Sequence, residues 1–161
     1  MTTAYQQNGL DYFHLIERSL LRNMNIEVRR GGHFDVPDDA YSRTRRQYDP
    51  RSIIIRMAGL KDRENELSVG IVDVDLYARG KNFIFGIALP LYRSALVSVF
   101  RLTGPRLTER LSKEVLHETG HLCGLFHCAD PTCVMHFSNT VKDTDEKTEE
   151  LCTDCRRQIE K

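Results

Sequence analysis

The segment His117-Glu118-Thr119-Gly120-His121-Leu122-Cys123-Gly124-Leu125-Phe126-His127 constrains this chain more than any other. On a helix, His117 and His121 are four residues apart and leave the same face, so both imidazoles can hold one ion. Glu118 follows the first histidine and can reach the far side of a water on that ion. Gly124 comes three residues after His121, where a positive φ would end the helix and turn the chain back. That turn carries His127 round to a third position on the same ion. Three neutral histidines with the fourth position open describe a catalytic zinc, not a closed structural one.

The chemistry follows from the residue types. Neutral ligands leave the ion's full charge in place, which acidifies a bound water to a pKa of roughly 7 and polarises a substrate carbonyl. Glu118 takes the role of general base, accepting the water proton and passing it to the leaving amine. The competing interpretation is a surface helix that carries two histidines by chance, and a bare His-Glu-x-x-His supports either. Gly124 and His127 stand at the offsets that the geometry needs. Met135 follows eight residues later, inside Cys133-Val134-Met135-His136, where a methionine turn beneath the metal would fall. A lone methionine is usually core packing, so Met135 counts only as part of the set.

Cys128 and Cys133 form one loop pair, and Cys152-Thr153-Asp154-Cys155 forms a second at the start of the last helix. Two such pairs can close a tetrahedral zinc site with no place for water or substrate. Its task would be to pin the C-terminal helix to the loop that carries His127 and Met135. Two disulfides or a redox pair are the alternatives. The N-terminal residues show neither a basic start nor an apolar stretch, so a secretory leader is not expected. The expected address is then the cytoplasm, where thiols stay reduced. No thioredoxin-like strand unit precedes the closing pair. Cys123, the odd cysteine, reads as a small core residue.

A chain of 161 residues, 40% hydrophobic, suits one domain with one core. Lys+Arg 23 balance Asp+Glu 23, which argues against bulk binding to nucleic acid or to an anionic membrane. Arg29-Arg30 and Arg43-Thr44-Arg45-Arg46 read as solvated loop positions. No apolar run is long enough to span a bilayer. Periodicity predicts helices over 10–24, 50–61, 108–125 and about 149–159, and strands over 26–30, 67–76, 83–89 and 95–102. Asp49-Pro50 supplies an N-cap and first-turn proline for the second helix. Residues 31–48 read as a long polar loop, and 143–150 as a solvated acidic one. Asp73 and Asp75 would share one face of a strand; either could orient a zinc ligand, though capping the next turn is the duller role.

From about Gln47-Tyr48 to Arg156 the chain resembles the archaemetzincins, a branch of the metzincin metalloproteases. The resemblance rests on Gly70-Ile71-Val72-Asp73-Val74-Asp75-Leu76-Tyr77, on Asn82-Phe83-Ile84-Phe85-Gly86 and on Val99-Phe100-Arg101-Leu102. Its most specific part is the three-histidine motif running straight into Cys128, Cys133, Val134-Met135-His136-Phe137-Ser138-Asn139 and the closing Cys-x-x-Cys. It implies an α/β fold, a two-lobed single domain over 1–161 divided near residue 124. A twisted mixed sheet with backing helices would lie above the active-site helix. The Met-turn and four-cysteine zinc would occupy the small C-terminal lobe. An antiparallel edge strand would line the cleft and pair with an extended substrate; Asn82, Phe83, Ile84, Phe85 and Gly86 are the candidates. Two departures stand out. The chain begins almost in the family's first helix, so the strand ahead of it is expected to be short, altered or missing. Phe137 stands where many metzincins carry a tyrosine near the metal.

The expectation is thus a monomeric zinc peptidase with two zinc ions, acting on peptides or proteins. A peptide-binding protein of the same fold with little turnover is the runner-up. A zinc-ribbon module built on the four cysteines is a third possibility, disfavoured by the zero net charge and the complete histidine motif.

Overall fold

Thr2–Gln7, where a short, altered or missing strand was expected, is an inner strand of the sheet. The computed structural model describes residues 1–63 and 65–160. In chain order the elements are β1 (Thr2–Gln7), α1 (Phe13–Met24), β2 (Val28–Phe34), the short pair β3 (Tyr41–Ser42) and β4 (Gln47–Tyr48), α2 (Pro50–Ala58), β5 (Leu67–Val72), β6 (Gly86–Leu89), β7 (Ser94–Ser98), α3 (Leu107–Leu122), α4 (Val141–Glu146) and α5 (Thr153–Ile159). The main sheet runs β2-β1-β5-β7-β6. Its first four strands are parallel, and β6 pairs antiparallel with β7 at the edge.

β1 escapes a hydrophobicity reading because Thr-Thr-Ala-Tyr-Gln-Gln holds two apolar residues, yet five of the six are buried. Its polar side chains are put to use. Gln6 Oε1 accepts the Tyr12 backbone N–H at 2.5 Å, just ahead of α1, and Gln7 Oε1 accepts that of Asp73 at 2.8 Å. Strands on both flanks complete its backbone hydrogen bonds.

Alternation along the strands divides the core. Ala4, Val69, Ile71, Ala95 and Val97 face α1 and α3, whereas Tyr5, Val72 and Leu96 face Ile53, Ile54 and Met57 of α2. α2 starts as expected, with Asp49 accepting the Arg51 N–H at 3.0 Å and Pro50 in the first turn. α1 ends on Asn25 at φ 54°, whose N–H returns to the Leu21 carbonyl at 3.1 Å.

Several boundaries differ from the pattern-based ones. β2 extends to Phe34, and the rest of the supposed loop holds a 3-10 turn and the β3–β4 pair. β5 stops at Val72, β6 starts only at Gly86 and β7 ends at Ser98, so the apolar runs around them overstate the strands. Between Asp73 and Phe85 the chain leaves the sheet. Leu76 bridges singly to Tyr48 and Ile84. Asp75 holds this excursion by accepting Arg101 Nε and Nη2 at 2.6 Å each and Gln47 Nε2 at 3.1 Å. The first half of the acidic stretch, expected as solvated loop, belongs to α4, nucleated by a capping box between Thr140 and Asp143. Arg29 is engaged with Asp62 at 2.9 Å and Glu66 at 3.0 Å. No helix among the described residues is long and apolar enough to cross a membrane.

Candidate metal centres and cleft

α3 carries an unbroken buried run from Leu111 to Gly120, so its last turns enter the core rather than lying on it. Gly124 then adopts φ 91°. The Leu125 N–H reaches back to the Gly120 carbonyl at 2.9 Å, which closes the helix and reverses the chain. The reversal brings His127 to His117 and His121, and one ligand atom from each lies within 4.8 Å of the others.

The rings are oriented by backbone carbonyls. His117 Nδ1 is 2.9 Å from Val134 O, and His121 Nδ1 is 2.8 Å from Leu125 O. A carbonyl can only accept, so Nδ1 carries the proton in both rings and each Nε2 presents a lone pair. The two Nε2 atoms face each other at 3.1 Å. Bare nitrogens so close repel unless a cation lies among them, and zinc with Zn–N of about 2.0–2.1 Å sets tetrahedral ligands roughly 3.4 Å apart. Burial, with the Lys147 ammonium adding, holds the His117 pKa down to about 2; burial and then His121 lower that of His127. His117 and His127 are thereby favoured in the neutral form that a ligand needs. The donor set fits zinc.

Glu118 is buried beside them, and burial followed by the Glu114 carboxylate pushes its pKa well above the usual range, with Lys147 and the Ala88 N–H pulling the other way. Its position depends on the edge strand. A Cβ at Gly86 would stand 2.9 Å from Glu118 Cγ and 2.9 Å from the Leu96 carbonyl. The cleft over this site has a volume of about 540 Å³, and its walls include Phe83, Ile84, Phe85 and Gly86. Of the expected edge-strand residues only Gly86 lies in β6; Phe83 to Phe85 precede the strand, and Asn82 does not line the cleft but gives its carbonyl to Gln47 Nε2 at 2.8 Å.

Met135 is fully buried, with its sulfur against Gly120. The Phe137 ring lies 5.0 Å from that of His127, and the Lys81 ammonium stands 4.7 Å over its face. Phe137 therefore flanks the site as an apolar wall without a hydroxyl.

Cys128, Cys133, Cys152 and Cys155 form a second cluster, also with ligand atoms within 4.8 Å of one another. Cys128 and Cys152 sulfurs are 3.7 Å apart, against about 3.8 Å for two thiolates on a tetrahedral zinc with Zn–S of about 2.3 Å. The Cys152 N–H points at Cys133 Sγ at 3.3 Å. Burial and then the neighbouring sulfurs push the Cys155 thiol far up, because four thiols this close cannot all ionise without a cation among them. Zinc fits here too. His127 and Cys128 are consecutive, so the two clusters share a backbone segment.

Cys123 is not the core residue expected, and the less favoured option that Asp73 or Asp75 orients a zinc ligand does not hold either. Cys123 is exposed at the end of α3, where the helix leaves the core. Asp75 serves Arg101 and not a histidine, and Asp73 is exposed beyond the end of β5. The groups that orient the histidines are main-chain carbonyls, which leave no trace in composition. The fit of Gly86, an expected edge-strand residue, against Glu118 has no signal in the sequence, and Gly120 and the buried pair Glu114–Lys147 were also missed. Of these only Glu114 carried a signal, three residues before His117 on the same helix face.

The sequence profile of peptidase family M54 matches residues 17–161. The chain belongs to peptidase family M54. The family is one of zinc metallopeptidases, the archaemetzincins. The M54 chain is 38% identical to an archaemetzincin of Pyrococcus abyssi over 170 residues, covering 98% of this chain and 87% of that protein. It is 51% identical to one from Pyrobaculum aerophilum over 92 residues, but that match spans only 57% of this chain and 59% of the relative. The crystal structure of the Methanopyrus kandleri archaemetzincin is similar throughout, with a TM-score of 0.89 at 32% identity, covering 99% of this chain and 93% of that one.

Proposed function

We propose that this M54 chain is a zinc peptidase in which Glu118 is the general base. The observation that carries the reading is the pair of facing Nε2 atoms 3.1 Å apart, with Glu118 buried beside them and fitted against Gly86. Zinc bound by His117, His121 and His127 would supply Lewis acidity to a water and a substrate carbonyl. Val134 and Leu125 carbonyls hold the rings in the liganding tautomer. Glu118 accepts a proton from the attacking water and delivers it to the leaving amine, so two shorter peptides result with no covalent intermediate. The open edge of β6 supplies backbone groups along which an extended substrate lies. Cys128, Cys133, Cys152 and Cys155 hold a second, closed zinc that fastens α5 to the segment bearing His127. The same reading makes the chain a monomer acting on peptides or proteins in a reducing compartment such as the cytoplasm.

The test is cleavage of a broad peptide library by zinc-loaded protein, read by mass spectrometry, with Glu118→Ala as the blank. New termini made only by the wild type are expected. Equal binding of peptides by both proteins with no new termini would leave a peptide-binding protein instead.

A further inference from the structure

Glu114 stands one turn before Glu118 on α3 and lines the same cleft, although its side chain is only 5% exposed. Its Oε1 accepts the Lys147 ammonium at 3.1 Å and the Thr144 hydroxyl at 3.4 Å. The Lys147 side chain is wholly buried, and its ammonium also donates to the His136 carbonyl at 3.4 Å, just after Met135. Oε2 enters none of the hydrogen bonds among the described residues. Ser138 lines this cavity as well, and its Oγ is buried without a partner.

A purely structural ion pair, tying the end of α4 to α3, accounts for Oε1. It does not account for the orphaned Ser138 hydroxyl, since buried polar groups are normally paired, and it leaves Oε2 without a protein partner among the described residues. The pair also restricts what can occupy this part of the cleft. Its charges cancel, so a second cation meets Lys147 and an anion meets Glu114, each without a net counter-charge. An apolar side chain leaves both Oε2 and Ser138 Oγ unpaired. A neutral carboxamide matches the chemistry of both groups, having an NH2 that can donate to Oε2 and a carbonyl that can accept the Ser138 hydroxyl proton.

We propose that Glu114 and Ser138 form a polar subsite that selects peptides with a glutamine or asparagine side chain near the cut bond, with Lys147 holding Glu114 in place. The cleavage half of this proposal rests on the peptidase reading; the binding half does not.

Four peptide series test it, with Gln, Met, Lys or Glu scanned through each position around the cut. These side chains are similar in length, so polarity is the variable. Cleavage is followed with zinc-loaded wild type, and affinity with zinc-loaded Glu118→Ala protein. The Gln peptide should exceed the Met peptide at one position by at least about tenfold in kcat/KM and in affinity, with Lys and Glu below it. The double variant Glu114→Leu/Lys147→Met removes both charges together and leaves no lone buried ion. Its melting curve establishes that it folds, and its Gln-to-Met ratio should fall to one or below. Ser138→Ala should lower the ratio about fivefold on its own. Cleavage or binding that is indifferent to Gln versus Met at every position overturns the subsite. So does a ratio unchanged in the double variant, which is the outcome for a merely structural pair. A Gln preference in binding without cleavage upholds the subsite and sinks the peptidase reading.

Discussion

Met135 packs its sulfur against the Cα of Gly120: a Cβ at position 120 would stand 2.4 Å from Sδ and 3.0 Å from Cε. The glycine inside His-Glu-Thr-Gly-His is thus the seat on which the turn after the histidines rests. Met135 has no exposed surface and so has little room to withdraw.

Gly120→Ala should therefore destabilise the protein despite its better helix propensity. Alanine gains about 1 kcal/mol over glycine in a helix, and overpacking costs roughly 1–3 kcal/mol. A net loss of up to about 2 kcal/mol in chemical denaturation is expected. Adding Met135→Ala should recover the helix gain, so the two changes should be strongly non-additive. Additive effects would mean that the contact carries no strain.

Gly86→Ala should cost turnover as well as some stability. The Leu96 carbonyl belongs to the paired β7 and cannot yield, so the new methyl must displace Glu118. A drop of at least about tenfold in kcat is expected, because small misplacements of a base are expensive. Unchanged kcat with a folded protein would show that Glu118 is not held from this side.

Cys152→Ser should release α5 and lower the zinc content from two ions per chain to one, read by elemental analysis of protein loaded with excess zinc. Because Cys128 follows His127 directly, affinity at the histidine site should weaken as well. A melting temperature and a zinc content both equal to wild type would rule out a four-thiolate site.

Glu109 gives a pH signature distant from the metals. The Arg106 guanidinium and then the Lys113 ammonium hold its carboxyl at about 2 in the folded chain, against 4.5 when free. Between those values the unfolded chain binds the extra proton, so this stabilisation is complete above about pH 4.5 and is lost as pH falls toward 2. Glu109→Gln should flatten that part of the acid limb in denaturation curves. Its side chain is 38% exposed, so salt should shrink the effect.

The gathering of His117, His121 and His127 beside Glu118, the turning glycine and the clustering of the four cysteines were legible, because each needs a particular side chain at a particular offset. Gly124 at φ 91° is the clearest case: helix geometry demanded a reversal there, and only glycine takes that conformation cheaply. β1 was not legible. Its threonines and glutamines look like a polar terminus until β2 and β5 flank it. The run 83–89 misled for the opposite reason, since apolar residues that wall a cleft resemble a strand.

The sequence by itself determined which atoms can hold metal and which carboxylate stands beside them, since spacing on a helix and in a turn is a local matter. Tertiary structure alone decided how those atoms are aimed and what surrounds them. Carbonyls of Val134 and Leu125 orient the rings, the edge strand confines Glu118 at Gly86, and Lys147 reaches Glu114 from 33 residues further along the chain. Such contacts depend on backbone paths that cross through space, and no period or offset in the sequence encodes them.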